Sequence, residues 1–309
     1  MTNKDDMPIL QVNDLVVSFS MYDKGFRKKE LEVIHSLSLS VNKGEIVALV
    51  GSSGSGKSIL ADSILNLLPK NALTSGEIFY KGNELNSKTV GKYLGRKIAY
   101  IPQSIDYLDP LMKVGKQVIG VRGSKGQQRN LFNKFQLNEN VEKMYPFQLS
   151  GGMARRVLIS AAVMENPELI IADEPTPGLD LEMAMETLQH FRKLADEGTA
   201  VLLITHDIDL ALEVADRIAV FYAGTVVEIA NKEDFIKGKD ALRHPYSKAF
   251  IDALPQNEFR PIPGTQPYAG NLPSGCLFAD RCPFRDDKCG GEIPLRTLRN
   301  GEVRCVHAT

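Results

Sequence analysis

Four short runs dominate the hydrophobic pattern of the chain: "EIVALV" (45–50), "LIIAD" (169–173), "VLLITH" (201–206) and "RIAVFY" (217–222). Each is apolar at successive positions and rich in β-branched residues, the pattern of strands buried on both faces of a parallel sheet. "ILQVNDLVVSF" (9–19), "LSLSV" (37–41) and "GEIFYKGN" (76–83) instead alternate apolar with polar residues beside turn formers, as antiparallel strands do. Segments with helical spacing stand between the runs, among them "GKSILADSILNLL" (56–68) and "ARRVLISAAVM" (154–164). This alternation predicts an α/β domain over about residues 9–230.

Two stretches break the pattern. Residues 104–149 have mixed polarity, little strand character and three glycines in "VIGVRGSKGQQ", which predicts a mostly helical insertion. The apolar residues of its first part, "YLDPLMKVGKQV" (107–118), suit either an internal core or a docking surface. Seven of the 16 prolines lie between Pro255 and Pro294, so the tail reads as a loop-rich module that would struggle to build its own core. The expected division is residues 1–240, with the helical part at about 104–160, followed by an extension over 241–309.

The formal net charge of −1 gives no global field for nucleic acid or an anionic membrane. "MTNKDDMPIL" lacks the apolar core of a signal peptide, and no run of about 18 apolar residues occurs. The expectation is a cytosolic chain with reduced thiols.

The chemistry begins at "LVGSSGSGKS" (49–58), where a buried-strand pattern leads into a helical one. Gly51, Gly56, Lys57 and Ser58 fit G-x-x-x-x-G-K-[ST] in the strand–loop–helix setting that motif requires. Backbone N–H groups of Gly51, Ser52, Ser53, Gly54, Ser55 and Gly56 would cradle phosphates at a helix N-terminus. Lys57 would reach the β- and γ-phosphates, and the Ser58 hydroxyl would ligate Mg²⁺. In "ELIIADEP" (168–175), Asp173 would hold the same ion, and Glu174 would polarise the attacking water. "LSGGM" (149–153) opens a further helical segment, so Ser150, Gly151 and Gly152 offer a second anion site; a plain helix cap is the alternative reading.

Phosphate loop, Gln103 in "AYIPQS", "LSGGM", "IIADEP", "GLD" and "ITHD" occur in that order and resemble the ATP-binding cassette of ABC proteins over residues 9–230. The resemblance implies a P-loop ATPase cassette: a mixed-sheet core, an antiparallel β subdomain and a helical subdomain. It further implies head-to-tail pairing with a second, homologous ATPase, each ATP lying between one phosphate loop and the other subunit's Ser-Gly-Gly helix. Gln103 would then sense Mg²⁺ and face the transmembrane partner, His206 would contact the γ-phosphate, and Asp180 would communicate across the dimer. Read alone, Gln103 and Asp180 are ordinary polar residues and His206 a strand-end histidine. His35, His190, His244 and His307 carry no such context and read as structural or surface residues. Met153 stands where the signature usually has Gln, and Pro177-Gly178 where Ser-Ala is usual; neither change removes a phosphate-contacting group. Adenine usually stacks on an aromatic residue near the start of such a cassette. Phe19, Tyr22 and Phe26 lie there; Phe19 is preferred, with a core role the alternative.

"RHPYSKAFIDALP" (243–255), "PIPG" (261–264) and "LPSGCLFADRCPF" (272–284) resemble the C-terminal extension of oligopeptide, dipeptide and nickel importers. That implies a peripheral subunit on the cytoplasmic face of the membrane, the first ATPase of a heterodimer. Two transmembrane permeases and an extracytoplasmic binding protein would complete the importer. All four cysteines follow, as C-x5-C-x6-C-x15-C at Cys276, Cys282, Cys289 and Cys305. Four thiolates in a reducing compartment suit Zn²⁺ or an iron–sulfur cluster. The absence of short C-x2–4-C knuckles, together with the resemblance, favours [4Fe–4S]; Zn²⁺ and unliganded or paired thiols remain the alternatives.

Overall fold

The computed structural model describes residues 7–22, 28–52 and 54–309. The chain opens with β1 (Leu10–Tyr22) and β2 (Lys28–Val41), crosses β3 (Ile46–Val50) and α1 (Lys57–Ile64), then returns in β4 (Ala72–Tyr80) and β5 (Asn83–Glu84). After β6 (Ile98–Ile101) come the helices α2 (Val114–Ile119), α3 (Lys125–Lys134) and α4 (Gly151–Val163). Strands and helices then alternate through β7 (Leu169–Asp173), α5 (Leu181–Asp196), β8 (Ala200–Thr205), α6 (Ile208–Val214) and β9 (Arg217–Tyr222). β10 (Thr225–Asn231), α7 (Lys232–Ile236), α8 (Pro245–Asp252), β11 (Arg296–Leu298) and β12 (Gly301–Val303) complete the order.

β2-β1-β4-β5 form an antiparallel sheet, as the alternating segments predict. The larger sheet runs β11-β12-β10-β9-β3-β8-β7-β6, with its five strands from β9 to β6 parallel. Its continuous apolar runs have a simple cause. Ile46, Ala48 and Val50 of β3 enter one core beside α5 and α6, while Val47 and Leu49 enter a second core shared with the antiparallel sheet. Strands with two buried faces cannot afford a polar alternation, and each buried aliphatic side chain contributes on the order of 2 kcal/mol.

The insertion is helical, with a core of its own built on Val114, Val118, Phe132, Val157 and Leu158. Its opening segment is part core and part surface. Leu108, Val114 and Val118 are buried, whereas Tyr107, Leu111 and Met112 are exposed, Leu111 at 87%.

The tail solves its shortage of apolar residues by borrowing. β12 pairs with β10 (Glu228↔Val303, Ile229↔Glu302) and so extends the cassette's own sheet. Phe278, from the cysteine-bearing stretch, is buried in the first core against Tyr222 and Tyr246, with ring centroids 5.4 and 5.3 Å away. Arg243 locks the junction. Its backbone N–H and guanidinium donate to Glu228, at 2.8 and 3.3 Å, and its side chain also donates to the carbonyls of Leu298 and Arg299 and to Asp234. The backbone N–H of His244 donates to the other Glu228 oxygen at 2.8 Å. Gly301 is required here, because a Cβ would lie 2.6 Å from the Arg243 guanidinium carbon.

Candidate nucleotide site and cysteine module

The parallel register brings the predicted phosphate chemistry to one edge. Val50 pairs with Thr205, and Asp173 with Ile204, so the residues leaving β3, β7 and β8 emerge side by side at the strands' carboxyl ends. That is where open α/β sheets bind ligands. Gly51, Asp173, Glu174 and His206 all follow from this placement.

Gly51 packs so closely that a Cβ would fall 2.5 Å from the Phe221 carbonyl oxygen, and Gly54 and Gly56 hold φ of +73° and +105°. Gly56 caps α1, whose first residues are Lys57 and Ser58. The Lys57 ammonium donates to the carbonyls of Gly51 (2.9 Å) and Ser52 (3.0 Å). Burial lowers its pKa, an effect opposed by the charges of Glu174 and Asp173. Burial raises that of Asp173, helped by Glu174 and Asp62 and opposed by the Ser58 hydroxyl and Lys57. Asp173 Oδ1 is buried without a hydrogen-bond partner, and the Ser58 hydroxyl is close enough to act on the carboxylate's ionisation. A carboxylate and a hydroxyl meeting with a free oxygen lone pair form a hard donor set that fits Mg²⁺. Ser53 and Phe26 lie outside the described residues.

Glu174 is buried, with φ of +47°, and its Oε2 lies 2.7 Å from Nδ1 of the half-exposed His206. The two form a carboxylate–imidazole pair able to take a proton from a water and orient it. Gln103 is exposed, but the backbone before it is fixed by Arg155, which donates to the carbonyls of Pro102 (2.6 Å) and Gln103 (2.5 Å). Pattern reading missed Arg155, since its partners stand more than 50 positions away and no local signal marks them.

Ser150 caps α4, accepting from the Met153 N–H at 3.3 Å, and Asp180 caps α5, accepting from the Met183 N–H at 2.9 Å. Both therefore do the bland structural work of a helix cap. Gly151 stays exposed, and a Cβ on Gly152 would sit 3.4 Å from Leu179, so the two caps adjoin. Phe19 is half-buried against the second core, and Tyr22 is exposed.

In the tail all four cysteines are free, with Cys289 and Cys305 buried. Burial chiefly, and the charges of Cys305, Cys289 and Cys282, push the Cys276 thiol up to about 11. Among the described residues, however, the four thiols do not come together as one ligand group, for only Cys289 lies in a set of close metal-ligating atoms. The Cys276 N–H donates to the Cys289 carbonyl at 2.9 Å, and the His307 N–H to Cys305 Sγ at 3.3 Å. Asp286, Cys289 and His307 form that set, whose ligand atoms lie within 4.8 Å of one another. His307 therefore joins the module, although the sequence left it among the structural or surface histidines. Thiols that depress one another's ionisation suit a bound cation, which relieves the repulsion.

Comparison with known proteins agrees with this geometry. Residues 34–177 match the ABC transporter family, and residues 227–289 match the oligopeptide/dipeptide transporter C-terminal region. The oligopeptide transport ATP-binding protein AppD of Bacillus subtilis is 36% identical, covering 96% of each chain. The probable D,D-dipeptide transport ATP-binding protein DdpD of Escherichia coli is 35% identical, over 97% of this chain and 96% of its own. A bacterial ABC transporter cassette solved as a dimer superposes with a TM-score of 0.64 at 26% identity, covering 72% of this chain and 98% of its own. The same cassette is known in a post-hydrolysis state with ADP and phosphate. Among the described residues no helix is long and apolar enough to cross a membrane. With its phosphate loop, its acidic strand end and a tail built into the same sheet, the chain belongs to the ABC transporter family of ATP-binding subunits, in the branch that carries the oligopeptide/dipeptide C-terminal region.

Proposed function

We propose that this subunit hydrolyses ATP with Mg²⁺ to energise uptake of oligopeptides or dipeptides, as a peripheral protein on the cytoplasmic face of the membrane. The observation carrying this reading is the meeting of Lys57, Ser58, Asp173, Glu174 and His206 at one sheet edge in a chain whose tail is of the peptide-transport type. Gly51–Gly56 and Lys57 hold the phosphates, Ser58, Asp173 and Gln103 serve the metal, and Glu174 with His206 activates water. Ser150–Gly152 complete the site of a second, homologous ATPase, with Asp180 signalling across the dimer. Phe19 is the adenine platform of this reading. Two permeases and an extracytoplasmic binding protein complete the importer.

The relatives named above are peptide transport proteins by name, which favours peptides over nickel. The four cysteines are assigned to a [4Fe–4S] cluster that closes the tail over residues 241–309, beside the cassette of residues 1–240. Zn²⁺ is the second reading, favoured by the mixed Asp286, Cys289 and His307 group. Anaerobic purification with iron, sulfide and zinc analysis separates the two. For transport, gentle solubilisation should recover the chain with membrane permeases, and deleting it should abolish peptide uptake; recovery without any permease would sink the transport reading.

A further inference from the structure

The cysteine module does not stand apart from the phosphate loop. Between α8 and the first cysteine the chain runs back across the cassette, and Gln266 reaches the loop itself: the Ser52 hydroxyl donates to Gln266 Oε1 at 3.3 Å. Four residues on, the Gly270 carbonyl accepts from Lys29 of β2 at 3.4 Å. The other end of this segment is held by the module. Arg281, next to Cys282, donates to the Pro263 carbonyl at 2.7 Å, the Ile262 carbonyl at 3.0 Å and the Tyr222 hydroxyl at 3.2 Å. Its guanidinium also lies 5.8 Å from the ring centroids of Tyr222 and Phe278. Gly264, at φ +74°, makes the turn between these anchors, and a Cβ there would meet Arg281 Cγ at 3.5 Å.

Among the described residues, the other hydrogen bonds at Ser52 are internal to the loop. Its carbonyl accepts from the Ser55 hydroxyl (2.7 Å) and from Lys57 (3.0 Å). The Gln266 contact is therefore of a different kind, since it ties the loop to a distant part of the chain. A phosphate cradle works by presenting several N–H groups at once, so each anchor that limits the loop's freedom lowers the ordering cost of binding.

We propose that residues 263–270 form a strap through which the cysteine module positions the phosphate loop, with Gln266 as the positioning residue. The inference rests on the reading of that loop as the ATP site. The strap contributes to ATP affinity and not to the chemical step, because among the described residues neither Gln266 nor Arg281 hydrogen-bonds to the Glu174–His206 pair.

The test is equilibrium binding of MgATP and steady-state turnover on the full chain. Gln266→Ala and Ser52→Ala should each weaken ATP binding about threefold to tenfold, the worth of one neutral hydrogen bond, and Gln266→Ala, which lies outside the loop, should keep kcat within about twofold of the parent. The double variant should be no weaker than the stronger single one, since both remove the same contact. Arg281→Ala, which frees the strap at its far end, should raise the KM for ATP in the same way, while Gln266→Glu, which keeps the acceptor, should retain the Ser52 contact and bind ATP better than Gln266→Ala in high salt. Unchanged or tighter ATP binding in both Gln266→Ala and Ser52→Ala overturns the strap, even if their thermal stability falls. A parent chain that binds no ATP would instead overturn the nucleotide reading on which the strap depends.

Discussion

At Glu174 the backbone adopts φ of +47°, a region that L-residues rarely occupy, and it is held there by a hydrogen bond from its own N–H to the Ile204 carbonyl at 2.9 Å. Strain of this kind persists only where the surroundings over-determine it, and it clusters at functional positions. The carboxylate is thereby aimed at His206 and away from the apolar strand it follows. Glu174→Gln keeps the shape and removes the carboxylate proposed as the base, so it should lower kcat at least about a hundredfold while ATP still binds; a phosphate-release assay beside a binding isotherm checks both halves. His206→Gln should act in the same direction, because it removes the imidazole that lies 2.7 Å from the carboxylate. The position of Glu174 was legible in the sequence, since a strand end followed by Asp-Glu is a local signal, whereas His206 stood out only through the family resemblance. Arg155 was not legible, although it is buried and sets the backbone at Gln103. Its importance comes from two carbonyls that only the fold brings to it.

Among the elements, the parallel strands were readable because burial on both faces leaves an uninterrupted apolar run. The antiparallel strands were readable for the opposite reason, since one face is wetter. β11 and β12 carried no such signal: each has three residues, and the pairing that matters joins Glu228 to Val303 across the length of the tail. What fixes that pairing is the junction lock. Arg243 is 1% exposed and Glu228 fully buried, so removing Glu228 leaves the buried guanidinium with Asp234 as its one acidic partner and strips the Arg243 and His244 N–H groups of their acceptor. Glu228→Ala should therefore cost about 3–5 kcal/mol, read by chemical denaturation. It should also loosen the hairpin specifically, which amide hydrogen exchange over residues 296–303 would report. The α4 and α5 caps illustrate how structure and chemistry share a residue. Ser150 and Asp180 serve their own helices whatever they do for a partner subunit.

For the molecule as a whole, the acid side of the stability profile should carry the mark of His244. This imidazole is fully buried, its Nδ1 accepts from the Tyr246 N–H at 2.9 Å, and burial lowers its pKa from 6.5 to about 3. A depressed value means that the folded state resists protonation. Stability from this group is thus complete above pH 6.5 and drains away as the pH falls towards about 3. His244→Asn retains an acceptor for the cap and cannot titrate, so its Tm should fall less steeply between about pH 6.5 and 4 than that of the parent, in scans by calorimetry. The thiols act with the opposite sense, as Cys276, Cys282 and Cys305 are all pushed up and must lose protons to bind a metal. Metal loading should accordingly release protons and weaken as the buffer is made more acidic, which titration in buffers of different ionisation enthalpy would detect.

The hairpin that extends the large sheet also decides what the sheet shows to its surroundings. Six of the seven residues of β10 are buried, and without a neighbour this strand would present an apolar ladder of unpaired amides and carbonyls, a template for other chains. With β12 and β11 in place the outermost strand is only three residues long, carries the exposed Arg296 and is followed by the exposed Arg299. Short, positively charged borders of this kind resist edge-to-edge pairing. A chain ended near residue 240 would thus be expected to form soluble aggregates visible by light scattering, whereas the full chain should stay dispersed under the same conditions.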